Sequence, residues 1–206
     1  MKHVRNLLFA AAVAAPLLAQ TPAPAPAAPA PARETWTVDK VHSGTAFRIR
    51  HLMSNVTGRF KGFDAKLMVD RGDPARSTIE FNIQAATIDT SEAARDEHLR
   101  SPDFFEAAKY PTISFKSAVV TPKGPNRFDV TGDLTMHGVT RRVTLPVEFL
   151  GFGKDARGNE RAGFLIETTL DRKDYGITWN RVLDEGGVLL GDEVKVTIDL
   201  QMVKNP

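Results

Sequence analysis

The chain contains no cysteine in 206 residues. That excludes disulfides, thiolate metal sites, a cysteine nucleophile and a lipidated cysteine. An excess of either charge is also missing: 27 Lys and Arg face 25 Asp and Glu, a formal net charge of +2. Two of the basic residues, Lys2 and Arg5, fall in the first 19 residues, which hold no acid. Beyond that segment the chain is formally neutral. A neutral chain offers little to a phosphate backbone, so no nucleic-acid role is expected. The glycine loops that cradle nucleotides are absent, and so is the GxSxG nucleophile elbow. After His3, the histidines His42, His51, His98 and His137 show no metal-ligand spacing. No metal and no catalytic residue is expected from motifs.

Residues 1–19 read as a secretory signal peptide. Lys2, His3 and Arg5 make a basic start, and Leu7 to Leu18 is apolar apart from Pro16. The run is too short to span a membrane, which takes about 20 apolar residues. Gln20 stands where a lipoprotein signal would need cysteine, so no acyl anchor is expected there. Residues 20–33 are almost wholly Pro and Ala and read as an extended linker. The folded domain is expected over 34–206.

From Glu34 onward the apolar residues recur with a period of two. Phe63, Ala65, Leu67 and Val69 alternate with Asp64, Lys66, Met68 and Asp70. Ile79, Phe81, Ile83 and Ala85 alternate with Glu80, Asn82 and Gln84. Phe115, Phe128, Phe149, Phe164 and Ile166 sit in similar runs. Val194 to Met202 is the most regular. Such alternation predicts antiparallel sheet with one buried and one wet face. Turn formers at 71–74, 122–126 and 155–159 separate the runs. Eight or so strands predict an all-β closed barrel or a sandwich. One segment differs. Ser91 to Arg100 holds strong helix formers, with Asp89, Thr90 or Ser91 as cap. Ser101-Pro102-Asp103 predicts a second short helix through Phe104, Phe105 and Ala108, so the helical insertion spans about 91–108. Phe-rich inward faces suit either a plain hydrophobic core or the wall of an apolar tunnel.

A set of segments runs in order along the chain, beginning with Asp39-Lys40-Val41-His42-Ser43, Phe47, His51, Gly58-Arg59-Phe60 and Phe63. The stretch Arg95 to Phe105, Tyr110-Pro111, Phe115-Lys116-Ser117 and Gly132 to Arg141 follow. Asp174-Tyr175-Gly176 and Leu190 to Val194 complete the set, across about 35–202. Together these segments resemble YceI-like proteins. The resemblance implies an extended, eight-stranded, lipocalin-like antiparallel barrel with a helical insertion. It also implies a tunnel for a polyisoprenoid chain or an isoprenoid quinone, and a periplasmic location. It supplies no catalytic residues and no cofactor beyond the bound lipid.

On this reading the inward lining is Phe47, Ile49, Phe63, Phe81, Ile83, Phe115, Phe128, Phe149, Phe164 and Ile166. His51 stands among them, where its ring can hydrogen-bond a quinone oxygen. His42, Arg95, Asp96 and His98 are candidates for the mouth or the head group. Two rival classes stay open. An enzyme would need His42, Asp96 and His98 to converge in one cavity. A solid-core stress or interaction protein would have a filled barrel. Ala85→Trp is expected to block a tunnel. The regular strand from Val194 to Met202 suggests a possible homodimer if it lies at a seam.

Overall fold

The computed structural model describes residues 33–183 and 186–206. The expected signal peptide and all but the last residue of the expected linker lie outside the described residues. The strands are β1 (Glu34–Val38), β2 (Gly44–His51), β3 (Ser54–Phe60), β4 (Phe63–Val69), β5 (Thr78–Gln84) and β6 (Ile88–Asp89). After one helix, α1 (Ala93–Arg100), come β7 (Thr112–Pro122), β8 (Arg127–Met136), β9 (Val139–Lys154), β10 (Glu160–Asp171) and β11 (Leu190–Lys204). All neighbouring pairs are antiparallel.

The strands close into a ring in the order β1-β4-β5-β7-β8-β9-β10-β11, shut by pairing of β11 with β1. Along the lower half of β11 the partner is β2 instead, followed by β3 and β6. The barrel thus has eight strand positions, three of them interrupted: β1/β2, β3/β4 and β5/β6. Each interruption has a local cause. At Asp39–Ser43, the Asp39 carboxylate accepts from the Val41 N–H at 3.1 Å and turns the chain. At Gly62 the N–H donates to Thr87 Oγ1 at 2.8 Å, and a Cβ there would lie 2.6 Å from Gln84 Oε1. At 85–87 a 3-10 turn replaces the ladder, and the Ala85 N–H donates to the Pro111 carbonyl.

The expected antiparallel barrel is present, and the alternation places its inner face. Along β4, Phe63, Ala65 and Leu67 are buried while Asp64 and Lys66 are exposed. The β8–β9 connection is a two-residue turn, His137-Gly138, with φ of 51° and 76°. Positive φ at both positions matches the twist of a tight hairpin and favours Gly.

The helical insertion is shorter than expected. The helix runs only from Ala93 to Arg100, and no second helix follows. The chain instead folds back over the end of α1. The N–H groups of Phe105 and Ala107 donate to the carbonyls of Leu99 and Arg100. This satisfies the last helical carbonyls and turns Phe104 and Phe105 toward the barrel. Glu106 reverses the chain at φ 44°. The expected cap also moves. Glu92 occupies the N-cap without a side-chain bond, and Asp96 reaches back to accept from the Thr90 N–H at 2.8 Å.

Strand β11 is hydrogen-bonded on both sides, to β10 and to β1 or β2. It therefore has no free edge on which a second chain would pair, and the seam imagined for a homodimer is closed.

Candidate ligand-binding site

The inner faces of the strands do not meet. They enclose a cavity of about 550 Å³, within the size range of small-molecule sites. Strand β11 shows its extent: Leu190, Val194, Val196, Ile198, Leu200 and Met202 all face it. At about 3.3 Å per residue, that is about 40 Å of strand path. The cavity is a tunnel along the barrel, not a pit at one end. Gly58 in β3 helps shape the wall. A Cβ there would stand 2.3 Å from the Phe47 ring, so glycine lets that ring lie across the neighbouring strand.

The two ends are built differently. At the end where β11 finishes, the tunnel stops on an aromatic stack. Phe164 faces the cavity, Phe149 lies behind it at 5.4 Å, Phe152 at 4.7 Å from Phe149, and Trp36 at 5.6 Å from Phe152. Trp36 is fully buried. Arg71 lays its guanidinium over the Phe152 ring at 4.2 Å and over Trp36 at 5.7 Å. Its Nε donates to Glu34 at 2.8 Å, and it also pairs with Glu160. Lys204 donates to Glu34 at 2.9 Å. Burial raises the Glu34 carboxyl, but the bonds from Lys204 and Arg71 outweigh this and hold it below its ordinary value. The Arg71 bond lowers Glu160 as well.

At the other end lie α1, the β2–β3 turn and the segments 172–183 and 186–190. Arg172 organises this end. It is buried, and its guanidinium donates to the carbonyls of Gly191, Ile177 and Trp179 at 2.9, 2.7 and 2.8 Å. A further bond reaches Asp192 at 3.0 Å. These bonds fix the return segment so that Trp179 stacks on His98 and Phe104, at 5.0 and 5.2 Å. His98 also bonds Asp103 at 2.8 Å. Lys66 contributes to the lining from a strand position whose side chain faces outward. The other ionisable residues of the lining, His51, Arg95, His98 and Arg172, all belong to this end.

Of the residues expected to line the interior, Phe47, Ile49, His51, Phe81, Ile83, Phe115, Phe164 and Ile166 face the cavity. Phe63, Phe128 and Phe149 do not. Phe63 shares the inner face of β4 but packs against Phe81 at 6.0 Å without reaching the cavity. Phe128 and Phe149 point inward but sit at the closed end, beyond the tunnel floor. Of the mouth candidates, Arg95 and His98 face the cavity and His42 and Asp96 do not. His42 is exposed on the 39–43 turn, bonded to Asp39, which in turn pairs with Arg161. Asp96 is buried and accepts from Thr90. Asp96 and His98, two residues apart on α1, point to different faces. The three groups that an acid–base enzyme would require do not converge. Ala85 is packed in the core, not on the tunnel wall, so a blocking substitution belongs elsewhere.

Sequence reasoning missed Arg172, Trp179 and the Trp36–Phe152–Arg71 plug. Arg172 had one local signal, its place between the helix-capping Asp171 and the Gly176 stop. Among the described residues no cluster of His, Asp and Glu has metal-ligand geometry. No helix there is long and apolar enough to cross a membrane.

Comparisons with known proteins agree with this architecture. Residues 36–202 match the model of the YceI-like domain. A UPF0312 protein of Vibrio cholerae is 42% identical over 137 residues, covering 66% of this chain and 72% of that one. The crystal structure of BcnA from Burkholderia cenocepacia is similar with a TM-score of 0.71 and 25% identity, covering 80% of this chain and 98% of the other. A polyisoprenoid binding domain from Saccharophagus degradans, implicated in plant cell wall breakdown, has the same fold. Its TM-score is 0.61 at 16% identity, covering 82% of this chain and 98% of that chain. By the extent of the domain match and by the barrel that carries it, this chain belongs to the YceI-like domain family.

Proposed function

We propose that the protein binds an isoprenoid lipid, a polyprenyl chain or an isoprenoid quinone, inside the barrel, and carries or sequesters it in the periplasm. The observation that carries this reading is the asymmetry of the tunnel. Its wall is apolar along the length of β11, and apart from the outward-facing Lys66 its ionisable side chains gather at one end. A long apolar tail with one polar head matches that pattern. Burying one methylene is worth about 0.8 kcal/mol, so a few isoprene units outweigh the ordering of a flexible tail.

In this reading the tail runs toward Phe164 and the head group stays near His51, Arg95 and His98. The His51 ring has no hydrogen-bond partner among the described residues and faces the cavity. Arg95 donates from Nε and one terminal nitrogen to Thr90, leaving its other terminal nitrogen free for a ligand oxygen. The protein works by binding, without a catalytic group and without a cofactor other than its lipid. Export by residues 1–19 delivers it to an aqueous compartment where such lipids need shielding. The Saccharophagus degradans neighbour, described as polyisoprenoid binding, supports the ligand class.

The test is native mass spectrometry with organic extraction of protein expressed with its leader. The reading expects a co-purifying isoprenoid in wild type and none in Val196→Trp, which places an indole in mid-tunnel. Failure of wild type to carry or take up any lipid would overturn it. Cell fractionation with and without residues 2–19 tests export.

A further inference from the structure

The barrel wall has a gap that the order of its strands does not reveal. Strands β9 and β10 pair from Lys154–Glu160 to Val147–Ile166, and there their ladder ends. Both strands run on. β9 stays paired with β8 as far as Val139, and β10 with β11 as far as Asp171. The two-residue turn at 137–138 sets which backbone groups face the gap. It makes Met136–Val139 a hydrogen-bonded pair, so the odd residues of β9 bond β8 and the even ones face β10. After Glu148–Leu165 the next bonded pair is therefore Pro146 with Glu167, and Pro146 has no N–H to give. Beyond it Thr144 would meet Thr169 and Arg142 would meet Asp171, but neither pair forms among the described residues.

The gap ends at a strap toward the mouth. The 3-10 turn Arg172–Tyr175 crosses to β9, where Arg141 Nε donates to the Asp174 carbonyl and His137 Nδ1 to the Tyr175 carbonyl, both at 3.0 Å. From Val147 to Arg141 is about 20 Å of strand path. On its outer side the gap forms a cavity of about 360 Å³, with Arg141, Arg142, Thr144, Thr169 and Asp171 around it. Leu145, Thr168 and Leu170 face this cavity and the tunnel alike. All three lie on the inner faces of their strands. At this level side chains, and no hydrogen-bonded ladder, separate a polar vestibule from the apolar tunnel.

We propose that this gap is a side port of the tunnel, through which an apolar chain enters and leaves. The mouth is the more obstructed route. Trp179, His98 and Phe104 stack there, and Arg172 holds the Trp179 carbonyl at 2.8 Å. A chain passing that way has to break those contacts. Passage between β9 and β10 needs only rotation of Leu145, Thr168 and Leu170, and a wall without ladder bonds is where local opening is easiest. The vestibule also suits an amphiphile. Its unpaired backbone groups and side-chain donors can hold a polar head while the tail threads inward. That the cargo is an isoprenoid rests on the binding reading above; the port itself rests on the gap and the tunnel.

The experiment follows uptake of the apolar dye N-phenyl-1-naphthylamine by stopped-flow fluorescence, in wild type and in two blocked forms. Thr144→Trp with Thr169→Trp fills the gap from positions that face the outer cavity and not the tunnel. Thr169→Cys, in a chain with no cysteine of its own, is capped with N-phenylmaleimide after folding. The proposal expects entry and exit rates to fall together by at least tenfold in both blocked forms, with the equilibrium affinity unchanged. The same cap on Thr197→Cys, exposed on β11, should change neither. Unchanged rates in the blocked forms would overturn the port. So would weaker affinity at an unchanged entry rate, which would make the gap part of the resting site. Dimerisation that protects the Thr144 and Thr169 amides from exchange would also overturn it, by assigning the gap to a strand of a second copy. Geranylgeraniol should displace the dye. If it does not, while the blocked forms still slow the dye, the isoprenoid reading falls and the port stands. If it does, at rates the block leaves unaltered, the port falls and the isoprenoid reading stands. Wild type that admits neither compound would overturn both.

Discussion

The two ends of the barrel solve opposite problems. At the closed end, Phe164, Phe149, Phe152 and Trp36 stack to the floor of the tunnel, and Arg71, Glu34, Glu160 and Lys204 seal it from water. At the mouth, aromatic groups stand beside ionisable ones, and a single buried guanidinium, Arg172, holds the return segment by backbone carbonyls. One end is anchored by the fully buried Trp36, with Phe152 half-exposed at its rim. The other is a set of loops fixed at one point, with polar groups left facing the cavity. The difference teaches that stability and ligand recognition are placed at opposite ends of one tube, so substitutions should separate them.

The largest effect is expected at the closed end. Trp36→Ala removes a fully buried indole and should cost about 3–5 kcal/mol in urea unfolding. The molecules that remain folded should still bind ligand at their mouth. A small loss of stability would show that the plug is not the packed end. Next comes Arg172→Met. It leaves the carbonyls of Gly191, Ile177 and Trp179 without the Arg172 donor, while Asp192 keeps its bond from Lys173, and should cost about 2–3 kcal/mol. Amide exchange should speed up across 177–191 and stay slow in β1 and β4. Uniform acceleration would mean that the mouth is not a separate unit.

Trp179→Ala should matter less for stability and more for ligand. The indole is half-buried and faces the cavity, so affinity should drop about tenfold, close to 1.4 kcal/mol. The smallest effect is the pH dependence of the closed end. Glu34 and Glu160 are both held below the ordinary value of 4.5. A lowered folded pKa adds stability that is complete above the unfolded value and is lost as pH falls through the folded one. Thermal scans between about pH 5 and about pH 3 should therefore show a steeper loss in wild type than in Arg71→Met. These side chains are partly exposed, so salt should blunt the difference.

The sequence and the structure part company in a consistent way. A period of two assigns a face to each residue, and it assigned Phe81, Phe115, Ile166 and Phe149 to the interior. It does not assign a height along the barrel. Phe115 and Phe149 alternate alike, yet Phe115 faces the cavity and Phe149 lies beyond its floor, because the long-range register decides their level. The plug itself joins residues far apart in the chain, such as Glu34 and Lys204, and no local pattern marks them. The choice between a filled core and a tunnel was open for the same reason. The residues at 101–110 read as a helix start by their Ser-Pro-Asp, but Phe104 and Phe105 gain more by turning onto Trp179 and Phe60. There tertiary packing overrode local propensity. His51 and His98 were legible as cavity-facing candidates. His42 was not separable from them without the break at 39–43.

The central claim is that a lipid lies in the tunnel with its head at the mouth and its tail on the aromatic floor. A crystal structure of the protein with an isoprenoid quinone tests it most directly. The account predicts tail density along Val196, Ile198 and Leu200 ending near Phe164, and a quinone oxygen within hydrogen-bond reach of His51, Arg95 or His98. A reversed chain, with its head at Phe164, or a lipid bound only on the outer wall, would contradict it.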